Sequence, residues 1–444
     1  MARGIDREHR RVVLAAMAGT TIEWYDFFVY AISAGLVFAT QYFSALGKDA
    51  LILSFATVGI SFFFRPIGAI VAGHLGDRLG RRAMLIATLL LMGVSTVLIG
   101  LVPTTASIGV AAPILLVLLR IVQGLSAGGE WGGAALLAVE HAPADRRGLY
   151  GAFPQIGVPV GLLLANGALA LAAAVTTPAQ FLAWGWRIPF LLSFVLIIAG
   201  FVIRSRVAES PVFEEVRRTR GRSSLPLVPL LRHHGTLVVL GALLFAANNA
   251  VGYMTTGGYV QSYATKNLHL DRSAVLVAVM ISAVAWLVST LVGGHLADRL
   301  GRLTVYRIGF AVQLVWMVPF FALLDTANVG LLVLALVLFS VGLGFTYGPQ
   351  AALYAEMYPT RVRYSGAALS YAIGAVLGGA FAPTIAEALQ SSTGTVYSVC
   401  AYLAGMTLIG LVASFFVRDR KGVPLHDVEE KVPARSAESL DGQP

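Results

Sequence analysis

Glu23 and Asp26 stand three residues apart in TTIEWYDFFVY, residues 20–30, inside an apolar run from 12 to 40. A helix carries side chains three and four apart on one face, so the two carboxylates share a face that Tyr30 continues. In a hydrocarbon layer an ionisable group is costly, and it usually lines a cavity or relays protons. In a soluble core the same pair is a satisfied acidic cluster. The elements that position the pair decide between these readings.

Those elements are membrane spans. Hydrophobic residues make up 57% of the 444 and charged residues 12%, against roughly a quarter charged in soluble domains. The mean hydropathy is +0.77. Twelve apolar runs follow one another at about 12–40, 50–75, 83–102, 110–140, 150–175, 188–206, 236–264, 274–297, 304–324, 329–357, 365–389 and 396–417. Each is long enough to cross about 30 Å of hydrocarbon as a helix. The first run is too long for a cleaved signal peptide, holds two acids and lacks a small-residue cleavage site. Cys400 is the only cysteine, which excludes an intramolecular disulfide and disfavours a thiolate metal site.

The net charge of +9 is a topology signal. With the N-terminus inside, and Arg204, Arg206 and Arg307 at the inner ends of their runs counted as cytoplasmic, 26 of the 32 Lys and Arg fall in cytoplasmic segments, two (Arg65, Arg120) in spans and four (Lys48, Arg187, Lys266, Arg272) in outer loops. That asymmetry is the positive-inside pattern and predicts both termini in the cytoplasm. It also removes the reason to expect nucleic acid as a partner.

A repeat divides the chain. GHLGDRLGR begins at Gly73 and GHLADRLGR at Gly294, with eight of nine positions identical. Glu140 is followed seven residues later by Arg147, and Glu356 seven residues later by Arg363. Two motif types repeated in order at nearly one offset indicate two homologous six-helix halves, a hallmark of secondary transporters. The expected architecture is all-α, with bundles at 1–206 and 236–417. A cytoplasmic linker at 207–235, with a short amphipathic helix around 211–220, joins them. A tail at 418–444 is polar and expected to be disordered.

With these motifs the sequence resembles the major facilitator superfamily. GHLGDRLGRR matches its signature between helices 2 and 3, and the paired Glu-x6-Arg elements and Ala208-Glu209-Ser210-Pro211 are similar to its sugar-porter-like branch. TIEWYDFFVYA (21–31), SFFFRPIGAI (61–70) and RIVQGLSAGGEWGGAALLAVEHAP (120–143) resemble the metabolite:proton symporter family, closest to its shikimate-like branch. Ala297, where the signature has glycine, is a small departure. The likeness implies twelve spans in two pseudo-symmetric bundles, a multi-pass protein of the bacterial inner membrane, no cofactor, and a monomer that couples a proton to a small metabolite. It also implies that Asp77, Arg78, Arg81, Glu140, Arg147, Asp298, Arg299, Arg302, Glu356 and Arg363 form ion pairs closing the inner side. Topology alone would also place arginines there, but not the matched acids.

Depth groups the buried charges. Glu23, Asp26, Arg65 and Glu130 each lie about 15–20 Å from the inner edge at 1.5 Å per residue. Burial and a nearby guanidinium act oppositely on a carboxyl group, so rearranging such pairs can take up and release a proton. Asp26, Glu23 and Glu130 are therefore the candidate proton-coupling acids, with Asp26 first; a static ion pair is the alternative. Arg65 and Arg120 suit a carboxylate substrate. Tyr30, Gln123, Gln155, Asn166, Asn248, Asn249, Tyr253, Tyr347 and Gln350 are candidate polar contacts, each equally suited to helix packing. Trp24 and Trp131 read as packing aromatics that could also stack on a ring.

The expected function is proton-coupled uptake of a small organic acid, such as shikimate or a di- or tricarboxylate. A zwitterionic osmolyte carrier and a proton-coupled exporter are the alternatives. An enzyme is disfavoured, because no metal-ligand spacing, nucleophile elbow or phosphate-cradling loop is present. A channel fits two repeated halves less well than alternating access does.

Overall fold

The computed structural model describes residues 7–79, 81–128, 130–140, 142–205, 227–256, 258–359, 362–423 and 425, with backbone alone at 7–12, 72–79, 81–85, 137, 204–205, 227–229 and 253–256. The expected helix at 211–220 lies outside the described residues, as do the side chains of Asp77, Arg78, Arg81 and Tyr253.

Every regular element described is helical. The first half holds α1 (Arg7–Ser33), α2 (Ala50–Leu79), α3 (Arg81–Leu101), α4 (Ala111–Ala127), α5 (Glu130–Glu140), α6 (Arg147–Ala174) and α7 (Arg187–Ser205). The second holds α8 (Leu227–Thr256), α9 (Tyr259–Lys266), α10 (Arg272–Leu300), α11 (Arg302–Leu324), α12 (Val329–Met357), α13 (Arg363–Ala375), α14 (Ala382–Thr393) and α15 (Tyr397–Phe415). Among the described residues ten continuous helical stretches are long and apolar enough to cross a membrane. An eleventh joins Pro178–Gly185 to Arg187–Ile203 across a 44° bend. The described apolar part of α3, Ile86–Leu101, is shorter. Each of the twelve apolar runs coincides with one helix or one interrupted pair, which is consistent with twelve spans.

Local chemistry sets the breaks. Asp271 and Asn328 cap α10 and α12, accepting from the backbone N–H of Ala274 and Leu331, which satisfies donors a helix start leaves open. Gly301, at φ 104°, ends α10 and starts α11 within one residue, a conformation that favours glycine. Gly128 keeps helical angles beyond α4, and α4 and α5 belong to one continuous span from Ala111 to Glu140.

The packing repeats with the sequence. In each half the first and fifth spans are neighbours: α1 packs on α6 and α8 on α13. Across the seam α6 packs on α10, and α2 packs on α13 and α14. The repeat relation exchanges these two contacts, so the halves meet about a pseudo-twofold axis. Outward-facing positions such as Phe194, Val288, Val315 and Phe416 are exposed and apolar, whereas Asp26, Gln155, Asn166, Asn248 and Gln350 are fully buried. This distribution suits a lipid surround and a polar interior.

Candidate substrate and proton site

Arg65 and Glu23 meet at the seam. Arg65 Nη2 of α2 lies 3.4 Å from Glu23 Oε1 of α1, both nearly fully buried. The Arg65 guanidinium sits 4.6 Å from the ring centroid of Phe62 and within 6 Å of Trp24 and Phe27. Aromatic faces replace part of the water a cation loses on burial. From the second half the Tyr371 hydroxyl reaches the same guanidinium. One ion pair therefore touches both bundles.

Asp26 takes another direction. A step of three residues turns a helix by about 300°, and that 60° offset aims its carboxylate at neighbouring spans of its own half. Ser193 Oγ of α7 donates to Asp26 Oδ1 at 2.7 Å, and Thr96 of α3 lies beside the same carboxylate. Glu130 of α5 is a further acid near this carboxylate. From Thr96 a hydrogen-bonded chain runs on: Gln123 Nε2 donates to Thr96 Oγ1 and Arg120 Nη1 to Gln123 Oε1, each at 2.7 Å. Arg120 also donates to the carbonyls of Thr57 and Val58, and its guanidinium lies 3.9 Å from the ring centroid of Tyr30. Tyr30 in turn donates to Thr57 Oγ1. Arg120, Gln123 and Tyr30 are thus tied into the first bundle, and Asp26 is linked to them through Thr96.

Amides and aromatic rings fill the rest of the centre. Trp131 Nε1 of α5 donates to Gln155 Oε1 of α6 at 2.8 Å. The Trp131 ring lies parallel to Tyr371, with centroids 3.9 Å apart and planes inclined by 8°, and Tyr371 stacks on Phe245 at 4.1 Å. Asn248 donates to Gln350 Oε1 and accepts from Thr346, while Asn249 donates to the Ala375 carbonyl. Tyr347 packs edge-on against Trp286. Asn166 accepts from Gln261 Nε2 of α9 at 3.2 Å, toward the far end.

At the end carrying the repeated motifs, charge closes the seam. Arg302 forks onto Glu356, Nη2 to Oε1 at 3.1 Å and Nε to Oε2 at 3.2 Å, and its Nη1 lies 2.7 Å from Asp298 Oδ1. Asp298 then accepts from the backbone N–H of Gly148 and Leu149 at 2.7 and 2.9 Å, placing a second-half carboxylate on the N-terminus of a first-half helix. Helix N-termini favour negative charge. Glycine is needed there, since a Cβ on Gly148 would lie 2.8 Å from that carboxylate. Arg147 lies 3.9 Å from Glu356, and Arg363 lies 3.8 Å from Glu140. The chain just after α15 joins them: Arg147 and Arg363 donate to the carbonyls of Val423 and Leu425, and Asp419 accepts from Leu303 N–H. Arg299 is exposed, and its carbonyl accepts from Lys421.

The far end closes without ion pairs across the seam among the described residues. A Cβ on Gly59 would fall on the Ala380 carbonyl oxygen, and one on Gly258 would lie 2.7 Å from the Ala31 carbonyl oxygen. Arg272 of α10 covers the ring of Phe181 at 4.8 Å. With both ends shut, the Glu23 and Arg65 pair is enclosed.

Sequence reasoning missed Ser193, Thr96, Tyr371, Gln261 and Asp419. Ser193 and Thr96 are lone hydroxyls in apolar runs, a weak signal that depth matching to Asp26 could have raised. Tyr371 and Asp419 carried no local signal, because their partners lie on distant spans.

Comparison with known proteins agrees with this arrangement. Residues 16–383 match the Major Facilitator Superfamily. The chain is 43% identical over 417 residues to the inner membrane metabolite transport protein YhjE of Escherichia coli (strain K12), covering 92% of this chain and 94% of that protein. It is 38% identical over 417 residues to the shikimate transporter of the same organism, with the same coverage. Among solved structures, the proton:xylose symporter XylE bound to 6-bromo-6-deoxy-D-glucose superposes with a TM-score of 0.75 at 20% identity, over 95% of this chain and 98% of that one. That likeness concerns the fold.

Proposed function

Since the chain belongs to the Major Facilitator Superfamily and is a transporter rather than an enzyme, we propose that it is a proton-coupled symporter. It takes up a small organic acid by alternating access, as a multi-pass protein of the bacterial inner membrane with both termini in the cytoplasm. Its two bundles, 1–206 and 236–417, rock about the central ion pair. The observation that carries this reading is the buried Glu23 and Arg65 pair, which one half supplies and which Tyr371 of the other half reaches.

The coupling follows from charge balance. A carboxylate substrate needs the guanidinium that Glu23 occupies, and removing either partner of a buried pair leaves an uncompensated charge. A proton delivered to the first bundle offsets the incoming anion. Asp26 is the proposed carrier: its partners are hydroxyls that can donate to the carboxylate or accept from the carboxylic acid, and Thr96 and Gln123 connect it to Arg120. Glu23 and Glu130 are the neighbouring acids that respond. Asp77, Arg78, Arg81 and the described motif residues form the inner gate.

A zwitterionic substrate has one specific observation in its favour. Glu23 and Arg65 offer both signs of charge at one point, which suits an ammonium and a carboxylate together. Uptake by the reconstituted chain in proteoliposomes with an imposed inward proton gradient separates the readings. Shikimate, succinate, citrate and glycine betaine form the panel. Accumulation of an acid, abolished when the gradient is collapsed, is expected. Movement of glycine betaine alone would replace the organic-acid reading with the osmolyte one.

A further inference from the structure

We propose that Trp131 and Tyr371 are the two walls of a slot for a flat, unsaturated ring acid, an inference that rests on the organic-acid reading above and narrows it. In the closed protein these rings lie parallel at 3.9 Å, one from each half, and Phe245 extends the pile at 4.1 Å. Parallel stacking is one of the arrangements aromatic side chains favour, and it presents their flat faces to each other. Here it occurs across the seam, so the rocking that opens the protein must part the two rings and expose two flat aromatic faces.

The rim of this stack is short of acceptors. Trp131 Nε1 uses Gln155 Oε1, which leaves Gln155 Nε2 buried with no hydrogen-bond partner among the described residues. Arg65 Nε is in the same condition. Tyr354, which meets Trp131 edge-on, lies one helical turn along α12 from Gln350, whose Nε2 also lacks a partner. A buried donor left unsatisfied is costly. Three such donors around one stack call for a ligand that brings acceptors. The slot therefore selects a planar ring carrying a carboxylate for Arg65 and ring oxygens for Gln155 and Gln350. When the ligand leaves, Trp131 and Tyr371 close on each other and keep water from the Glu23 and Arg65 pair.

Binding to the purified full-length protein tests the slot, read by calorimetry because uncharged ring acids cross bilayers unaided. Benzoate is the flat probe, cyclohexanecarboxylate the saturated ring of similar size, and succinate the aliphatic acid. Benzoate is expected to bind about tenfold or more tightly than cyclohexanecarboxylate. Trp131→Leu should erase that preference, Trp131→Phe should keep most of it, and succinate binding should change little in either variant. Equal binding of the two rings to the unaltered protein would overturn the slot without any variant needing to fold, as would a preference surviving Trp131→Leu. If succinate moves with the proton gradient while flat rings show no preference, the slot is wrong and organic-acid symport stands. If the benzoate preference depends on Trp131 but no acid follows the gradient, the slot stands and the symport reading fails.

Discussion

The two ends of this transporter close by different physics. At the motif end Arg302, Glu356, Asp298, Arg147, Arg363 and Glu140 form a charge network that crosses the seam. At the far end the backbones of α2 and of Ala380, between α13 and α14, touch, with Gly59 leaving no room for a side chain, and Gly258 meets Ala31 in the same way. A charge network comes apart one pair at a time, and each pair has alternative partners. Backbone contact has no such partial states. The far end is therefore sensitive to added volume, and the motif end to removed charge.

The largest effect expected from this contrast is at Gly59. Leucine there collides with the Ala380 carbonyl and holds the far end apart. Uptake should fall to background while substrate binding persists. Loss of binding together with uptake would instead mean that the fold had failed.

Next comes Arg302→Ala, which takes the forked partner from buried Glu356, leaving it only Arg147 at 3.9 Å, and leaves Asp298 to the backbone N–H of Gly148 and Leu149. Breaking a buried pair from one side costs about 3–5 kcal/mol, so thermal unfolding should shift down by several degrees. Labelling of a cysteine placed at the motif end should rise in the same variant, and an unchanged unfolding temperature would remove Arg302 from the network.

Removing residues 419–444 should have a smaller effect. It deletes the Val423 and Leu425 acceptors of Arg147 and Arg363 and the Asp419 contact to α11. Each hydrogen bond contributes about 1 kcal/mol, so the motif end should label faster with uptake reduced rather than lost. Arg299→Ala, at an exposed position, should stay within about 0.5 kcal/mol of the parent in unfolding assays. A large loss there would show that charge at this end acts through topology and not through the mapped pairs.

Much of this was legible in the sequence because membrane constraints are strong. Apolar runs marked the spans, and the repeated GHLGDRLGR and GHLADRLGR words marked the halves. The matched Glu and Arg residues marked one end of the seam, since charged motifs stand out in a chain that is 12% charged. The glycine contacts at the far end were far less visible. Gly59 and Gly258 are two of 47 glycines, and only the partner backbone on a distant span gives either its meaning. The site divided in the same manner. Depth along the helices placed Arg65 level with Glu23, where the structure finds them paired. The three-residue spacing predicts one shared face for Glu23 and Asp26, yet the 60° it leaves between them turns Asp26 to Ser193 while Glu23 faces the seam. Gln123 and Arg120 suit substrate contacts by type, and the structure joins them to each other and to Thr96 and Val58 of the first bundle.

In the proposed mechanism the first bundle carries the proton and Asp26 holds it. Asp26→Asn keeps the shape and an acceptor for Ser193 while removing the ionisable group. In proteoliposomes loaded with unlabelled substrate, the variant should still exchange labelled substrate by counterflow. It should no longer accumulate that substrate when an inward proton gradient is imposed. Gradient-driven accumulation at the parent level by Asp26→Asn would contradict the account.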